Sequence, residues 1–223
     1  NQEEAPGMPD ATTEVTRSNR PPVFAGLSDV VINEGETVQF TVSAGDPDGL
    51  AGDVTYRLGA GAPAGAVLGA VSGQLTWPTG EGTGPSTNAF TVTATDSGIP
   101  SASVTGVVTV IVREVNTGPA LAAIANRTIS EGALLCITNT ASDGDLPANL
   151  LRFSLGANTP AGAAIDATSG IFRWRPAEYQ GPSTNVISVV VTDQPGEAGS
   201  LSATQQFAVI VRDTLADFSL AIG

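Results

Sequence analysis

Histidine and lysine are both missing from this chain of 223 residues, all nine of its basic residues being arginine, and Cys136 is its only thiol. Without histidine the commonest general base and metal ligand is gone. A serine or threonine nucleophile would lack a His or Lys base, and zinc would lack its usual His/Cys set. One cysteine makes no intramolecular disulfide, so it can only stay a free thiol or bridge two chains. Aromatic residues are 5% of the total. No apolar run approaches the roughly 18 residues a membrane helix requires. Basic clusters are absent too: 22 acidic residues face 9 basic ones, for a net charge of −13. Phosphate neutralisation needs clustered Lys and Arg, so nucleic acid is not an expected partner. That balance suits an extracellular protein, or one that gathers divalent cations. The first twenty residues hold no apolar leader segment, so an exported form would already be mature.

What is present is a duplication. Gly84-Pro85-Ser86-Thr87-Asn88 recurs as Gly181-Pro182-Ser183-Thr184-Asn185, a shift of 97 positions (181 − 84 = 97). The same shift carries Trp77 to Trp174, Asp96 to Asp193, Glu34 to Glu131, and Asp46/Asp48 to Asp143/Asp145. A period near one hundred residues is a whole small domain, whereas solenoid units run about 20–50. Near the end the shift becomes 99, since Arg212 answers Arg113.

Within each copy the apolar residues alternate. Val38, Phe40 and Val42 are separated by Gln39 and Thr41, and Val54, Tyr56 and Leu58 share one phase. Period two is the mark of a half-buried strand. Asp46-Pro47-Asp48-Gly49 and Thr95-Asp96-Ser97-Gly98 are turns between such runs. About seven short strands per copy with no amphipathic helix predict a β-sandwich. The expected divisions are a polar arm at 1–18, sandwiches at 19–115 and 116–213, and an orphan strand at 214–223. The direct junction, without a Gly/Ser linker, predicts an elongated rod.

The Asp46-Pro-Asp48-Gly49 turn, Glu34 and Thr91-Val-Thr-Ala-Thr-Asp-Ser-Gly-Ile-Pro100 resemble cadherin repeats. Ser169-Gly-Ile-Phe-Arg-Trp-Arg-Pro176 and Gln180-Gly-Pro182 are similar to the dystroglycan-type, cadherin-like domains, also described as immunoglobulin-like domains of bacterial surface proteins. The resemblance covers roughly 19–213 and implies an all-β chain of two tandem Ig/cadherin-like Greek-key sandwiches in an extracellular surface protein. It also implies an interdomain calcium site, for which Glu34, Asp96, Glu114, Asn116, Asp143 and Asp145 match the family's ligands residue by residue. Two parts have no counterpart: no Asp-Arg-Glu follows Leu75, and Thr117 replaces a linker aspartate. The plainer reading of these Asp and Asn residues is that they cap turns.

After the second sandwich, Ala216, Phe218, Leu220 and Ile222 alternate with Asp217, Ser219 and Ala221. This is a strand pattern with nothing local to pair with. It reads as the first strand of a further module, or as a strand donated to a neighbouring molecule. Trp77 and Trp174 could offer a sugar-stacking platform, but each alternates with Leu75 or Phe172, which places it on the core face. Cys136 falls on the outward phase of its strand. Acidic pairs for glycoside hydrolysis would sit in turns without the long loops that build a cleft. The sequence therefore predicts a non-enzymatic structural or adhesive protein that contacts copies of itself or neighbouring surface proteins and assembles into a fibre or layer. The alternatives are a calcium-stiffened spacer and a carbohydrate-binding module.

Overall fold

A computed structural model describes residues 18–49, 54–194 and 196–214. The polar arm up to residue 17 and the strand pattern from Ala216 to Ile222 lie outside these. Two compact units are present, one running to Thr79 and adding Ser86–Val112, the other joining Gly80–Pro85 to the chain from Arg113 onward.

The first sandwich uses β1 (Val23–Phe24), β2 (Val30–Asn33), β3 (Thr37–Thr41), β4 (Ala44–Gly45), β5 (Thr55–Leu58), β6 (Val67–Leu68), β7 (Gln74–Pro78), β8 (Ser86–Thr95) and β9 (Ser103–Arg113). One sheet has the order β2-β9-β8-β5 and the other β3-β7-β6, with β1 paired to β4. The second sandwich repeats this with β10 (Ala120–Leu121), β11 (Arg127–Ser130), β12 (Leu135–Thr138), β13 (Ala141–Ser142), β14 (Arg152–Leu155), β15 (Ala164–Ile165), β16 (Ile171–Trp174), β17 (Ser183–Thr192) and β18 (Ser202–Arg212). Its sheets are β11-β18-β17-β14 and β12-β16-β15, with β10 beside β13. Among the described residues, the runs read from alternation form strands. The two-residue strands β1, β4 and β6 and their second-copy partners were not foreseen, because two residues carry no period. Among the described residues there is no α-helix, only the 3₁₀ turn Glu178–Gln180.

Each core lies where the apolar phases of the two sheets meet. Phe90, Val92, Val108 and Val110 face Leu75 and Trp77 in the first sandwich. Ile187, Val189, Phe207 and Val209 face Phe172 and Trp174 in the second. Trp77 lies 5.4 Å from Phe90 between ring centroids, and Phe172 meets Phe207 edge to face at 5.7 Å. Both indoles are inside, at 5% and 1% exposure. The indole N–H of Trp77 donates to the Ala64 carbonyl and that of Trp174 to the Ala161 carbonyl, each at 3.2 Å. A buried indole keeps its fold only with such a partner.

The repeated pentapeptide has a structural reason. A Cβ on Gly84 would lie 2.9 Å from the Arg113 carbonyl and the Glu114 nitrogen. Glycine is what lets the chain cross the end of β9 there. Two residues later the Asn88 amide donates to the Ser86 hydroxyl, as Asn185 does to Ser183.

Phe172→Ala, at a fully buried position, should cost the second sandwich about 3–5 kcal/mol. Urea unfolding followed by tryptophan fluorescence checks it, since each sandwich carries one indole.

Candidate functional site

The expected ligands are distributed over both units, so each unit is taken by itself. In the first, Asp96 follows Thr95, which pairs with Ser103 at the start of β9. Asp29, just before β2, accepts the Thr109 N–H at 3.1 Å, so β2 runs alongside the second half of β9. Glu34 comes after β2 and lies toward the last residues of that strand. Asp96 and Glu34 are therefore at opposite ends of the sandwich. Asp96 accepts N–H bonds from Ala102 at 2.9 Å and Gly98 at 3.0 Å, together with the Asn19 amide at 3.0 Å. The Ala102 bond leads in holding its carboxyl below the usual aspartate range, and Asn19 and Gly98 add to it against the opposing effect of burial.

The corresponding end of the second unit gathers Asn116, Asp143, Asp145 and Asp193. Asn116 donates its amide to Asp193 at 3.0 Å and to the Gly199 carbonyl at 3.1 Å. Asp145, 3% exposed, accepts the Thr117 N–H and hydroxyl and the Asn149 amide. Asp143 accepts the Asp145 N–H at 3.0 Å. Gln194 and Asn149 in turn donate to the Asn116 side-chain oxygen. Asp145 and Asp193 face N–H and O–H donors, the arrangement of turn caps, whereas Asp143 Oδ2 is buried and meets no donor among the described residues.

The far end of the second unit is different. β18 is 11 residues long, so its ends stand about 34 Å apart. There the carboxylate of Glu131, 8% exposed, accepts the Thr214 N–H at 3.1 Å and hydroxyl at 3.0 Å through one oxygen. Its other oxygen, Oε2, is buried and meets no N–H or O–H donor. The Asp213 carboxyl is in contact with the Glu131 carboxylate. Contact with Glu131 is the first cause raising the Asp213 pKa, followed by the charge of Glu131, burial and the charge of Glu178. Glu131 is held low, chiefly by the Thr214 N–H. Gly181 keeps the space beside Oε2 clear, since a Cβ there would stand 2.7 Å from it. Two carboxylates in contact with no donor between them need a shared proton or a cation. An all-oxygen set of this kind fits a hard divalent ion.

The first copy has the same residue types: Glu34 answers Glu131, Glu81 answers Glu178 (178 − 97 = 81), and Glu114 answers Asp213 at the 99-residue shift. Glu81 and Glu114 both lie with the second unit, their carboxylate oxygens within 4.8 Å of one another. Glu81 also accepts the Leu146 N–H at 2.9 Å. Glu81, Glu178 and Asp213 were not singled out from the sequence, although the repeat shift alone points to them. Cys136 is exposed, as its phase required.

Residues 21–112 match the family model described as "Putative Ig domain". No curated protein matches the sequence. Among solved structures, mouse cadherin-23 EC22–24 superposes with a TM-score of 0.57 at 21% identity, over 88% of this chain and 68% of that one. Human CDH23 EC21–23 gives 0.56 at 24%, over 85% and 64%. Drosophila N-cadherin EC1–4 gives 0.57 at 14%, over 87% and 50%. At these identities the likeness is one of fold. The chain is a tandem of cadherin-like, immunoglobulin-like β-sandwich repeats.

A depressed carboxyl stabilises the fold above its ordinary pKa and loses that contribution as pH falls through the folded value. Asp96→Asn should accordingly lower stability at neutral pH and flatten the loss between neutrality and about pH 3. Urea midpoints across that range measure it, and an unchanged acid limb would show that Asp96 is not a source.

Proposed function

We propose that this chain is a non-enzymatic, extracellular structural protein of adhesion type, whose repeats are stiffened by calcium and which assembles with copies of itself. The observation that carries the cation part is the buried Glu131 Oε2, which meets no donor among the described residues, in a carboxylate that the Asp213 carboxyl contacts. Calcium takes about 6–8 oxygen ligands in flexible geometry. Glu131, Asp213 and Glu178 would supply carboxylates, and water or carbonyls the remainder. The ion's role there is to remove repulsion where the last strand leaves the sandwich. Asp145 and Asp96 are assigned to capping, because protein donors already meet their carboxylates, and Asn116 to donating its amide to Asp193; Asp143 accepts from Asp145 through one oxygen, and its buried Oδ2 meets no donor among the described residues.

The assembly part rests on the alternating tail Ala216, Phe218, Leu220 and Ile222, which lies outside the described residues. The carbohydrate-binding reading has lost its platform, since both indoles are buried and hydrogen-bonded.

Thermal unfolding in millimolar calcium and in EDTA tests the cation. A ligand at 100 times its Kd adds about 2.7 kcal/mol, so the unfolding midpoint should rise in calcium. Asp213→Asn, which supplies a donor to Glu131 and removes one charge, should lose most of that rise while unfolding no earlier in EDTA. An equal midpoint with and without calcium in the natural chain would overturn the cation reading.

A further inference from the structure

The edge of β12 is open. This strand pairs with β16 alone. The Asn139 N–H donates to the Gly170 carbonyl at 3.1 Å, on the β16 side. Backbone groups alternate in direction along an antiparallel strand, so Leu135 and Ile137 also turn theirs toward β16. The N–H and C=O groups of Cys136 and Thr138 then face outward. Among the described residues no strand pairs with that side, because β10 meets only β13 beyond it.

Beside this edge lies a cavity of about 180 Å³, between Ala122–Ala125 and the end of β12, lined by Ile124, Arg127, Ile137 and Asn139. Asn139 is 5% exposed. Its amide nitrogen donates to Gly170 at 2.8 Å, while Oδ1 is buried and accepts nothing. The equivalent cavity of the first repeat has Val42 in that place (139 − 97 = 42), which is buried and asks for no donor. The second repeat therefore combines unpaired edge groups, a cavity with a mainly polar lining and a buried acceptor left open among the described residues.

We infer that this edge receives an added strand, and that the strand is the C-terminal segment Leu215–Ile222 of a second copy. The segment has the required pattern: Phe218, Leu220 and Ile222 share one phase and alternate with Asp217 and Ser219. Strand addition gives affinity through main-chain bonds and specificity through alternate side chains. Phe218, Leu220 and Ile222 take the inward phase that Leu135 and Ile137 have on β12, Asp217 and Ser219 take the outward phase beside Cys136, and a tail N–H supplies the donor that Asn139 lacks. This rests on the self-assembly part of the proposed function and names its acceptor.

The exposed thiol of Cys136 makes the pairing testable in the full chain. Neighbouring strands place same-phase side chains about 4.5–5.5 Å apart at the Cβ atoms, within disulfide reach. Ser219→Cys and Asp217→Cys, mildly oxidised, should give a ladder of three or more chains on non-reducing gels. Phe218→Cys should give none, and adding Cys136→Ser should stop the ladder at dimers. Sedimentation velocity of the unmodified protein runs in parallel. Oligomers without any ladder would overturn β12 as the acceptor and leave self-assembly standing. A monomer without a ladder would overturn both. A monomer with an internal disulfide would mean that each chain covers its own edge.

Discussion

The packing of one aromatic-bearing strand against one long hairpin is what each sandwich depends on. In the first copy β7 brings Leu75 and Trp77 against Phe90 and Val92 of β8 and Val108 and Val110 of β9. In the second, β16 brings Phe172 and Trp174 against Ile187, Val189, Phe207 and Val209. Five of the eleven aromatic residues, Trp77, Phe90, Phe172, Trp174 and Phe207, lie at these contacts. A buried aromatic side chain removes about 150–250 Å² from water, several times what the surrounding alanines contribute. The phase of every other strand is set by this choice, since a shift of one residue would turn its apolar set to solvent.

Once the hairpin is fixed, the ends of the sandwich follow. β8 and β9 are 10 and 11 residues long, twice the length of most other strands here, so they alone reach both ends. At one end their connecting turn carries Asp96, and in the second copy Asp193. At the other the chain must cross the last strand closely enough that only glycine passes, at Gly84 and Gly181. In the second copy that crossing brings Asp213, the residue after the sandwich, close to Glu131, the glutamate that follows its second strand. Glu131 and Asp213 are in contact because of backbone geometry, not because either recruits the other.

Much of this was legible in one dimension. The 97-residue shift placed both sandwiches, and the alternation of Leu75/Trp77 and Phe172/Trp174 placed both indoles inside. Sites were harder, because strand order does not say which end of a strand a turn occupies. Asp96 and Glu34 belong to one motif pattern in the sequence yet stand at opposite ends of the fold. Glu81 escaped attention because the family's acidic triplet was sought directly after Leu75, whereas the carboxylate comes after Pro78, in the turn before Gly84. Asp213 was read as the last residue of a domain, although the 99-residue shift pairs it with Glu114. The open acceptor of Asn139 could not be read at all: whether a buried amide finds a donor depends on a neighbouring backbone, and Val42 at the equivalent position gives no warning.

The two ends of the second sandwich show why acidic residues alone do not define a cation site. Asp145 and Asp193 are the more buried, at 3% and 0% exposure, and by burial they would be the stronger candidates. Each, however, has its oxygens matched to donors: Thr117 and Asn149 for Asp145, Leu201 and Asn116 for Asp193. A cation bound there would have to displace bonds already made, and charge-assisted bonds of this kind are among the stronger ones in a protein. At the Glu131 end the donors come only from Thr214 and reach one oxygen. The second oxygen has no bond to lose, so an ion gains its full interaction with it and also relieves the repulsion from Asp213. The difference lies in the neighbours, three amide or hydroxyl side chains at one end and a second carboxylate at the other. It leaves Asp145 and Asp193 matched to donors at one end, and at the other leaves Glu131 with one oxygen that meets none among the described residues.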